Sequence, residues 1–245
     1  MYGLGTAINL VTVAVGTVVG VLVGDRLSEK TRVTIMQGLG LVTLAVAVSG
    51  MTPLFDADDS LRRFIILIVA MILGGIVGEA LGLERRLEGA GDAIRVKLGR
   101  RSAATGASDR SNFIEGFVVA STVFCVGPLT IVGAIEDGLG DSIELLAIKS
   151  ALDGFAAIGF ASVYGWGVGA SLIVLVLYQG GMTAVAALVE PLMTADVTAM
   201  LGAVGSLLVL GIGFRLLSIA QVHVVSLMPA LFIGPAIEGI YQVVR

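Results

Sequence analysis

The feature that most constrains how this chain can fold is a long apolar stretch in its second half. Residues 154–189 contain no charged side chain over 36 positions. A straight α-helix of that length would measure about 54 Å at 1.5 Å per residue, whereas the hydrocarbon core of a bilayer is about 30 Å thick. The stretch must therefore turn. We predict the turn at Tyr164–Gly169, where glycines supply flexibility and Tyr and Trp suit a membrane interface.

The composition of the whole chain also indicates a membrane protein. Hydrophobic residues make up 56% of the 245 positions and charged residues only 14%, whereas soluble domains carry about 25% charged residues. The 15 Lys and Arg residues are outnumbered by 19 Asp and Glu residues. This balance excludes a basic surface of the kind that neutralises nucleic-acid phosphates. The expected surroundings are therefore a lipid bilayer, and no nucleic acid is expected as a partner.

Apolar segments long enough to cross a bilayer recur along the whole chain. A helix needs about 20 mostly apolar residues to span the hydrocarbon core. The predicted spans are 3–24, 33–54, 64–83, 112–135, 145–163, 170–189, 197–217 and 222–244. The sequence thus predicts an all-α, polytopic transmembrane bundle of about eight spans, with residues 1–245 forming one integral membrane domain. The last connectors are short, so that counts from seven to nine stay open.

Lysine and arginine are distributed unequally between the two sets of connectors. With the N-terminus outside, 11 of them lie on the inside and 3 on the outside. Residues 84–111 hold seven of the 11 and are predicted to form a basic cytoplasmic loop with an amphipathic start. Because Lys and Arg accumulate in cytoplasmic loops, we predict that both termini lie outside.

The two halves of the chain share a weak similarity that suggests a duplication. A shift of 164 positions pairs Gly16 with Gly180 and Met36 with Met200, and a shift of 38 pairs Glu115 with Asp153. Spans one to three then match spans six to eight, and span four matches span five. The matched spans cross in opposite directions, which predicts an inverted repeat of the kind that recurs in secondary transporters. Chance identities in a chain rich in Gly and Val are the alternative.

A few polar side chains within the predicted spans are the candidate functional residues. A charge at the bilayer centre costs about 2.5–3.5 kcal/mol on insertion scales, so that such residues usually face a partner or a water-filled cavity. The residues predicted to line a substrate or ion pathway are Asp153, Lys149, Glu115, Glu79, Glu238, Asn9 and Gln179. Their structural alternatives are an interfacial position for Glu115 and Glu238, a buried ion pair for Lys149 and Asp153, and bridging between helices for the amides.

Two Gly-Pro steps, Gly127-Pro128 and Gly234-Pro235, lie inside the predicted fourth and eighth spans. Proline removes a backbone donor and interrupts the helical hydrogen bonds. Within a membrane, the freed carbonyl groups must face protein or a cavity. We predict helix breaks at both steps, with a simple kink as the alternative.

Glycines at four-residue spacing mark another feature of the first span. Gly16, Gly20 and Gly24 follow one another at this interval. Small residues at this spacing let helix backbones approach closely in a membrane. The contact can lie within one chain or between the two copies of a homodimer, and both interpretations stay open at this point.

The motifs of common enzyme and metal sites are absent from the sequence. It contains no P-loop, no HExxH, no GxSxG context and no CxxC, and it has one histidine and one cysteine. We therefore expect no enzymatic activity, no cofactor and no metal site.

Several short motifs resemble those of a known family. They are MQGLGL at 36–41, GGIVGE at 74–79, FIEGF at 113–117, FCVG at 124–127, EDG at 136–138, KSALDG at 149–154 and YQG at 178–180. Together they resemble the prokaryotic domain-of-unknown-function 554 membrane proteins over nearly the full chain. The resemblance implies a multi-pass protein of the prokaryotic inner (cytoplasmic) membrane, of a kind often described as a transporter. It implies no catalytic residue.

These observations lead to two expectations about function. The first is a transporter of an unknown small solute or ion, coupled to a proton or cation through the buried carboxylates. The alternative is a non-transporting membrane scaffold or partner-binding subunit that docks through the basic loop 84–111.

Overall fold

The computed structural model describes residues 2–55, 59–99 and 107–244, and the part of the chain that it describes is helical with no strand. The long helices are α1 Leu4–Gly24, α2 Glu29–Gly50, α3 Ser60–Ala80, α4 Leu83–Gly99, α5 Ala107–Val126, α6 Pro128–Leu139, α7 Glu144–Tyr164, α8 Gly167–Ala184, α9 Ala195–Leu216 and α10 Ala230–Val244. Single helical turns lie at Thr52–Phe55, Ala186–Val189 and Val224–Leu227. The predicted all-α architecture is confirmed.

Seven segments are each long and apolar enough to cross a membrane: α1, α2, α3, α7, α8, α9, and Val224–Val244, which contains α10. An eighth candidate is the pair α5 and α6, whose axes are bent by 61° at the break between them. The predicted turn in the long apolar stretch lies where α7 ends at Tyr164. Gly165 follows with a φ of 68°, a left-handed conformation that favours glycine.

The direction of α7 indicates that the bent pair α5 and α6 forms one crossing. Gly5, near the start of α1, packs against Leu146, near the start of α7, and Gly24 at the end of α1 packs against Ser162 near the end of α7. The two helices are therefore parallel. Parallel spans require an odd number of crossings between them, and α2 and α3 supply only two. The α5–α6 pair supplies the third, which agrees with the predicted count of eight.

The two Gly-Pro steps have different outcomes. At the first, α5 ends at Val126, Gly127 is extended (φ −71°, ψ 148°), and Pro128 is the first residue of α6. At the second, the prediction of a break is wrong because α10 runs continuously through Pro235. Gly234 packs closely against α9, where a Cβ atom would lie 3.0 Å from Cγ2 of Val204. The packing of α10 on α9 holds the helix together at a proline that would interrupt it in isolation.

The break near the C-terminus lies instead at Met228-Pro229, between Val224–Leu227 and α10. The backbone N–H groups of Phe232 and Ile233 both donate to the carbonyl of Pro229. Proline is well suited to this position because its missing N–H would have no helical partner in a first turn.

The prediction of a loop at 84–111 is corrected, because most of this segment is the amphipathic helix α4. Leu83, Leu87 and Ile94 recur at helical spacing and pack against a buried cluster that contains Phe117 of α5. Gly91 lies on the same face, directly over the Phe117 ring. Burial of this apolar face stabilises a helix where the abundance of charge had suggested a loop. Residues 100–106 of the predicted loop lie outside the described residues.

Charged side chains on α4 are tied to their neighbours. Asp92 accepts hydrogen bonds from Arg95, at 3.1 Å, and from Arg110 at the start of α5, at 2.7 Å. The hydrogen bond from Arg95 and the positive charge of Arg110 lower the pKa of the Asp92 carboxyl group. Glu84 is buried and pairs with Arg215 of α9 at 3.2 Å. These contacts hold α4 against the end of the bundle.

The helices pack in two groups that meet along α9. In the first group α1 packs on α7, and α5 packs on α8. In the second group α2 packs on α9, and α3 packs on α10. α9 is the most buried span and contacts α5 and α6 of the first group. The larger hydrophobic core is continuous through both groups.

The contact between α1 and α7 depends on the glycines of α1. A Cβ atom on Gly16 would lie 2.5 Å from the carbonyl oxygen of Gly154, and one on Gly24 would lie 2.5 Å from that of Ser162. Gly20 has an equally close contact with the backbone at Ile158. This glycine series therefore serves packing within one chain, while the homodimer stays a prediction.

Candidate functional site

The close approach of α1 and α7 places two polar side chains together inside the bundle. Asn9 is fully buried, and Asp153 is 6% exposed. The Nδ2 group of Asn9 donates to Oδ2 of Asp153 at 3.1 Å and to Oε1 of Gln179 in α8 at 2.8 Å. Lys149 lies one helical turn before Asp153 and donates to the same carboxylate oxygen. We call Asn9, Lys149, Asp153 and Gln179 the polar cluster.

Hydroxyl groups extend the polar cluster toward the start of α1. Nε2 of Gln179 donates to Oγ1 of Thr6 at 3.1 Å, and the hydroxyls of Thr6 and Thr183 are 2.9 Å apart. Thr183 also donates to the carbonyl oxygen of Gln179. Gln179 lies in a π-helical stretch of α8, Val176–Gly180. Such stretches widen the helical turn locally and often occur at functional sites.

The charges of the polar cluster cancel, but its hydrogen bonding is incomplete. Lys149 and Asp153 are both buried, so that each depends on the other for compensation. Oδ1 of Asn9 is buried and has no hydrogen-bond partner among the described residues. Buried acceptors are normally paired with protein or with ordered water. The polar cluster therefore presents an unpaired buried acceptor, Oδ1 of Asn9, next to a buried carboxylate and a buried ammonium group.

Asp137 holds the start of α1 in place. Its carboxylate is fully buried and accepts the backbone N–H groups of Gly5 and Thr6, each at 2.9 Å. The start of α1 has no side-chain cap of its own, since Gly3 occupies that position. A carboxylate is favourable there because the N-terminus of a helix carries partial positive charge. Asp137, at the end of α6, thus sets the position of α1 and of Asn9 one turn further along.

The sequence interpretation missed three residues of this region: Thr6, Thr183 and Asp137. Thr6 lies three residues before Asn9, and Thr183 lies four residues after Gln179, so that helical spacing could have placed both beside the predicted amides. Asp137 falls in the connector between the predicted spans 112–135 and 145–163. The absence of a capping side chain before α1 was the available signal, but nothing in the sequence shows which distant carboxylate supplies it.

Glu238 lies in a second, separate ionic group. It is fully buried in α10 and pairs with Arg62 at the start of α3. The Arg62 guanidinium also lies 4.5 Å from the centre of the Tyr241 ring. Next to it, Arg63 pairs with Asp196 at the start of α9. The side chains of this group come from α3, α9 and α10, whereas those of the polar cluster come from α1, α7 and α8.

The remaining two predicted carboxylates lie at other places. Glu79 is exposed near the end of α3 and lines a surface cavity of about 340 Å³ together with Arg85 and His223. Glu115 is half-buried in α5, within electrostatic range of Tyr164. Of the seven predicted pathway residues, the structure therefore brings together Asn9, Lys149, Asp153 and Gln179. It places Glu79, Glu115 and Glu238 apart from them.

Within residues 2–55, 59–99 and 107–244, no group of three or more His, Cys, Asp or Glu side chains is placed to hold a metal ion. Cys125 is a buried free thiol of α5.

A family model described as "Protein of unknown function (DUF554)" matches residues 4–238. The chain belongs to the DUF554 family. The match begins at the first residue of α1 and ends at Glu238, so that it contains every predicted pathway residue of this DUF554 protein. The family assignment confirms the resemblance that the sequence motifs predict.

Two curated relatives support the same placement. The uncharacterized membrane protein YdfK of Bacillus subtilis (strain 168) is 28% identical over 233 residues, which cover 95% of this chain and 94% of the relative. The uncharacterized protein YqgA of Escherichia coli (strain K12) is 32% identical over 231 residues, 94% of each chain. No solved structure matches this chain. The relatives and the apolar helices together identify this DUF554 protein as a multi-pass membrane protein.

Proposed function

We propose that this protein is an inner-membrane transporter of a small solute or ion, coupled to a proton or cation through Lys149 and Asp153. The observation that carries the proposal is the polar cluster, in which side chains from α1, α7 and α8 surround a buried ion pair. Ionisable residues inside membrane spans are costly and usually belong to ion or proton pathways. The unpaired Oδ1 of Asn9 gives this pair a place to receive a ligand.

The break between α5 and α6 supports a transport role. Discontinuous helices in transporters expose backbone groups near the substrate. Here the hydroxyl of Thr130 donates to the carbonyl of Phe124 at 3.2 Å, which satisfies one of the carbonyls freed by the break. Cys125, next to that carbonyl, is within electrostatic range of both Lys149 and Asp153. Both α5 and α6 pack on α7, so that the break adjoins the helix that carries the ion pair.

The packing of the helices supports the inverted repeat. The predicted repeat exchanges α1 with α8, and α7 with the α5–α6 span. It also exchanges α2 with α9, and α3 with α10. The pair α1–α7 is then exchanged with the pair α8–α5, and both are in contact. The pairs α2–α9 and α3–α10 are exchanged with themselves, and both are also in contact. A twofold axis in the membrane plane would produce this arrangement.

The scaffold alternative has less structural support. Its docking segment was the basic region 84–111, but the apolar face of α4 is already covered by Phe117. A partner would have to bind the exposed cations Arg85, Arg86 and Lys97. The scaffold would be favoured if deletion of residues 84–111 abolished partner capture and left solute flux unchanged.

The transport proposal is tested by flux into liposomes that contain the purified full-length protein. Protons, alkali cations and small metabolites are the probes, and the variants are Asp153→Asn and, as a matched carboxylate control, Glu79→Gln. Asp153→Asn removes the charge that Lys149 needs and is expected to abolish flux, whereas the exposed Glu79 is separate from the polar cluster. Absence of flux for every probe with the unmodified protein, or equal effects of the two variants, would overturn the proposal.

A further inference from the structure

Buried hydroxyl groups in the spans of this protein are normally satisfied by their own helix. Thr122 donates to the carbonyl of Val118, and Ser162 and Ser171 donate to carbonyls three residues earlier. This is a common way for Ser and Thr to be satisfied within a helix. It is especially favourable in a membrane, where the surrounding lipid offers no hydrogen-bond partner.

Three buried hydroxyl groups have no partner on any helix among the described residues. Thr17 and Ser121 are 1% and 2% exposed, and their hydroxyl oxygens have no hydrogen-bond partner among the described residues. The same holds for the buried hydroxyl oxygen of Tyr178 and for Oδ1 of Asn9. Unpaired buried polar atoms are costly, and ordered water is their usual partner when protein supplies none. All four residues lie on α1, α5 and α8, which surround the ion pair of α7.

Two of these unpaired groups, those of Thr17 and Ser121, lie between the polar cluster and one end of the bundle. Thr17 lies eight residues after Asn9 on the buried face of α1, about 12 Å further along the helix axis. It packs beside Gly169 near the start of α8. Ser121 lies one turn before Cys125 in α5. It is therefore nearer than Cys125 to the same end of the bundle. A distance of about 12 Å corresponds to about four hydrogen-bond lengths between water molecules.

The titratable groups around the ion pair are few. Lys149 lies on the same helix as Asp153, and the buried Cys125 lies on α5, which packs against that helix. The residues facing it from α1 and α8 are the neutral amides Asn9 and Gln179. Tyr178 lies within electrostatic range of Cys125. The nearby carboxylate of Asp137 in α6 is buried and engaged by the N–H groups of Gly5 and Thr6. Asp153 is therefore the carboxylate of the polar cluster that can exchange a proton with nearby water.

We propose that Asn9, Thr17, Ser121 and Tyr178 bind a file of water molecules, and that the species moved through the polar cluster is the proton. This inference rests on the proposed transport function and specifies its ion. In each step one O–H bond breaks on the donor and one forms on the acceptor, so that a single H⁺ advances with no oxidation or reduction. Asp153 accepts the proton and releases it to the next water.

The oxygen atoms of the polar cluster favour a proton over a metal cation. Oδ2 of Asp153 already accepts from Lys149 and Asn9, and Oε1 of Gln179 accepts from Asn9. Metal cations such as Ca²⁺ or Mg²⁺ require about six or more oxygen ligands. The Oδ1 atoms of Asn9 and Asp153 accept no hydrogen bond among the described residues. Two free oxygen atoms are far short of that shell, but they are enough to hold a water molecule.

The test measures proton flux in liposomes that contain the full-length protein and a trapped pH-sensitive dye, driven by a potassium gradient with valinomycin. The variants Thr17→Val, Ser121→Ala and Tyr178→Phe each remove one hydroxyl with little change of shape. The controls Ser162→Ala and Ser171→Ala remove hydroxyls that are bonded to their own helices. We expect each of the first three to slow proton flux by about fivefold or more, and each control by less than about twofold.

Three results would overturn the inference. Equal rates in test and control variants would show that the unpaired hydroxyls hold no conducting water. Asp153-dependent flux of another ion without proton flux would overturn the assignment of the proton, but it would agree with the proposed transport function. Absence of flux for every probe would overturn both. If Thr17→Val or Ser121→Ala fails to fold, Thr17→Ser and Ser121→Thr serve in its place, because they keep the hydroxyl and must keep the unmodified rate.

Discussion

Lys149 and Asp153 are two opposite charges buried where α1 and α7 meet. Their exposed fractions are 4% and 6%. A buried ion pair contributes little net stability when compared with well-packed apolar residues, because the cost of desolvation offsets the attraction. Removal of one member, however, leaves an uncompensated buried charge. A pair that is kept for function can therefore be replaced as a whole with little loss of stability, whereas a pair that is needed for folding cannot.

A double-mutant cycle on this pair makes the distinction measurable. Lys149→Met is expected to lower the free energy of unfolding by about 3–5 kcal/mol, because Asp153 loses its counter-ion. The double variant Lys149→Met, Asp153→Leu is expected to recover most of that loss and to remain inactive in flux assays. Reversible unfolding in mixed detergent provides the measurement. Arg95→Met is a control at the partly exposed Asp92 pair and should change stability little.

A double variant that is as unstable as the two single variants combined would contradict this expectation. It would mean that Lys149 and Asp153 act independently. A fully active double variant would show that the charges are not part of the transport pathway.

The helix α1 combines packing and function on one buried face. Thr6, Asn9 and Thr17 share that face with Gly16 and Gly20. The glycines bring the α1 backbone against α7, and the same approach lets the short Asn9 side chain reach Asp153. The geometry of the polar cluster therefore depends on glycines that carry no polar group themselves.

Substitution of a single glycine tests this dependence. Gly20→Ala would press a methyl group against the backbone of α7 at Ile158 and the side chain of Ala161. Overpacking of this kind costs about 1–3 kcal/mol, and the displacement of α1 should also reduce flux. Gly38→Ala in α2 is the matched control, since no atom lies within 4 Å of the new Cβ position. Thermal unfolding in detergent, followed beside flux, distinguishes the two variants.

Helices and site residues could be predicted to different extents. The predicted spans 3–24 and 145–163 differ from α1 and α7 by only one residue at any end, because uninterrupted apolar length determines where a membrane helix can lie. The helix α4 was missed because its charge suggested a loop, whereas its apolar face is buried by Phe117. Packing partners of this kind are not visible in a local pattern.

The residues of the site could also be predicted only in part. Asn9, Lys149, Asp153 and Gln179 could be selected because polar residues are conspicuous within apolar spans. Their meeting could not be predicted, since Asn9 is separated from its partners by 144 and 170 positions in the sequence. Nor could the sequence show that Glu238 is compensated by Arg62 in a different group.

The arrangement of the whole chain in the membrane determines from which side the polar cluster is reached. Asn9 lies about 8 Å from the start of α1, and Gln179 lies about 8 Å from the end of α8. Both are therefore nearer to the end of the bundle that holds Asp137. If the N-terminus is outside, the polar cluster lies near the outer surface, and the path past Thr17 leads to the cytoplasm.

Labelling of single cysteines tests this orientation. Ser28→Cys lies in the exposed connector between α1 and α2, and Asp141→Cys lies in the exposed connector between α6 and α7. These connectors are at opposite ends of the bundle, because α1 and α7 are parallel and Ser28 follows the end of one while Asp141 precedes the start of the other.

The native Cys125 is buried and should stay unlabelled in the folded protein, so that the unmodified chain is the background control. With Lys and Arg retained on the cytoplasmic side, a membrane-impermeant maleimide should label Asp141→Cys in intact cells and Ser28→Cys only after permeabilisation. The reverse pattern would place both termini inside, and the same water file would then lead outward from a polar cluster near the cytoplasm.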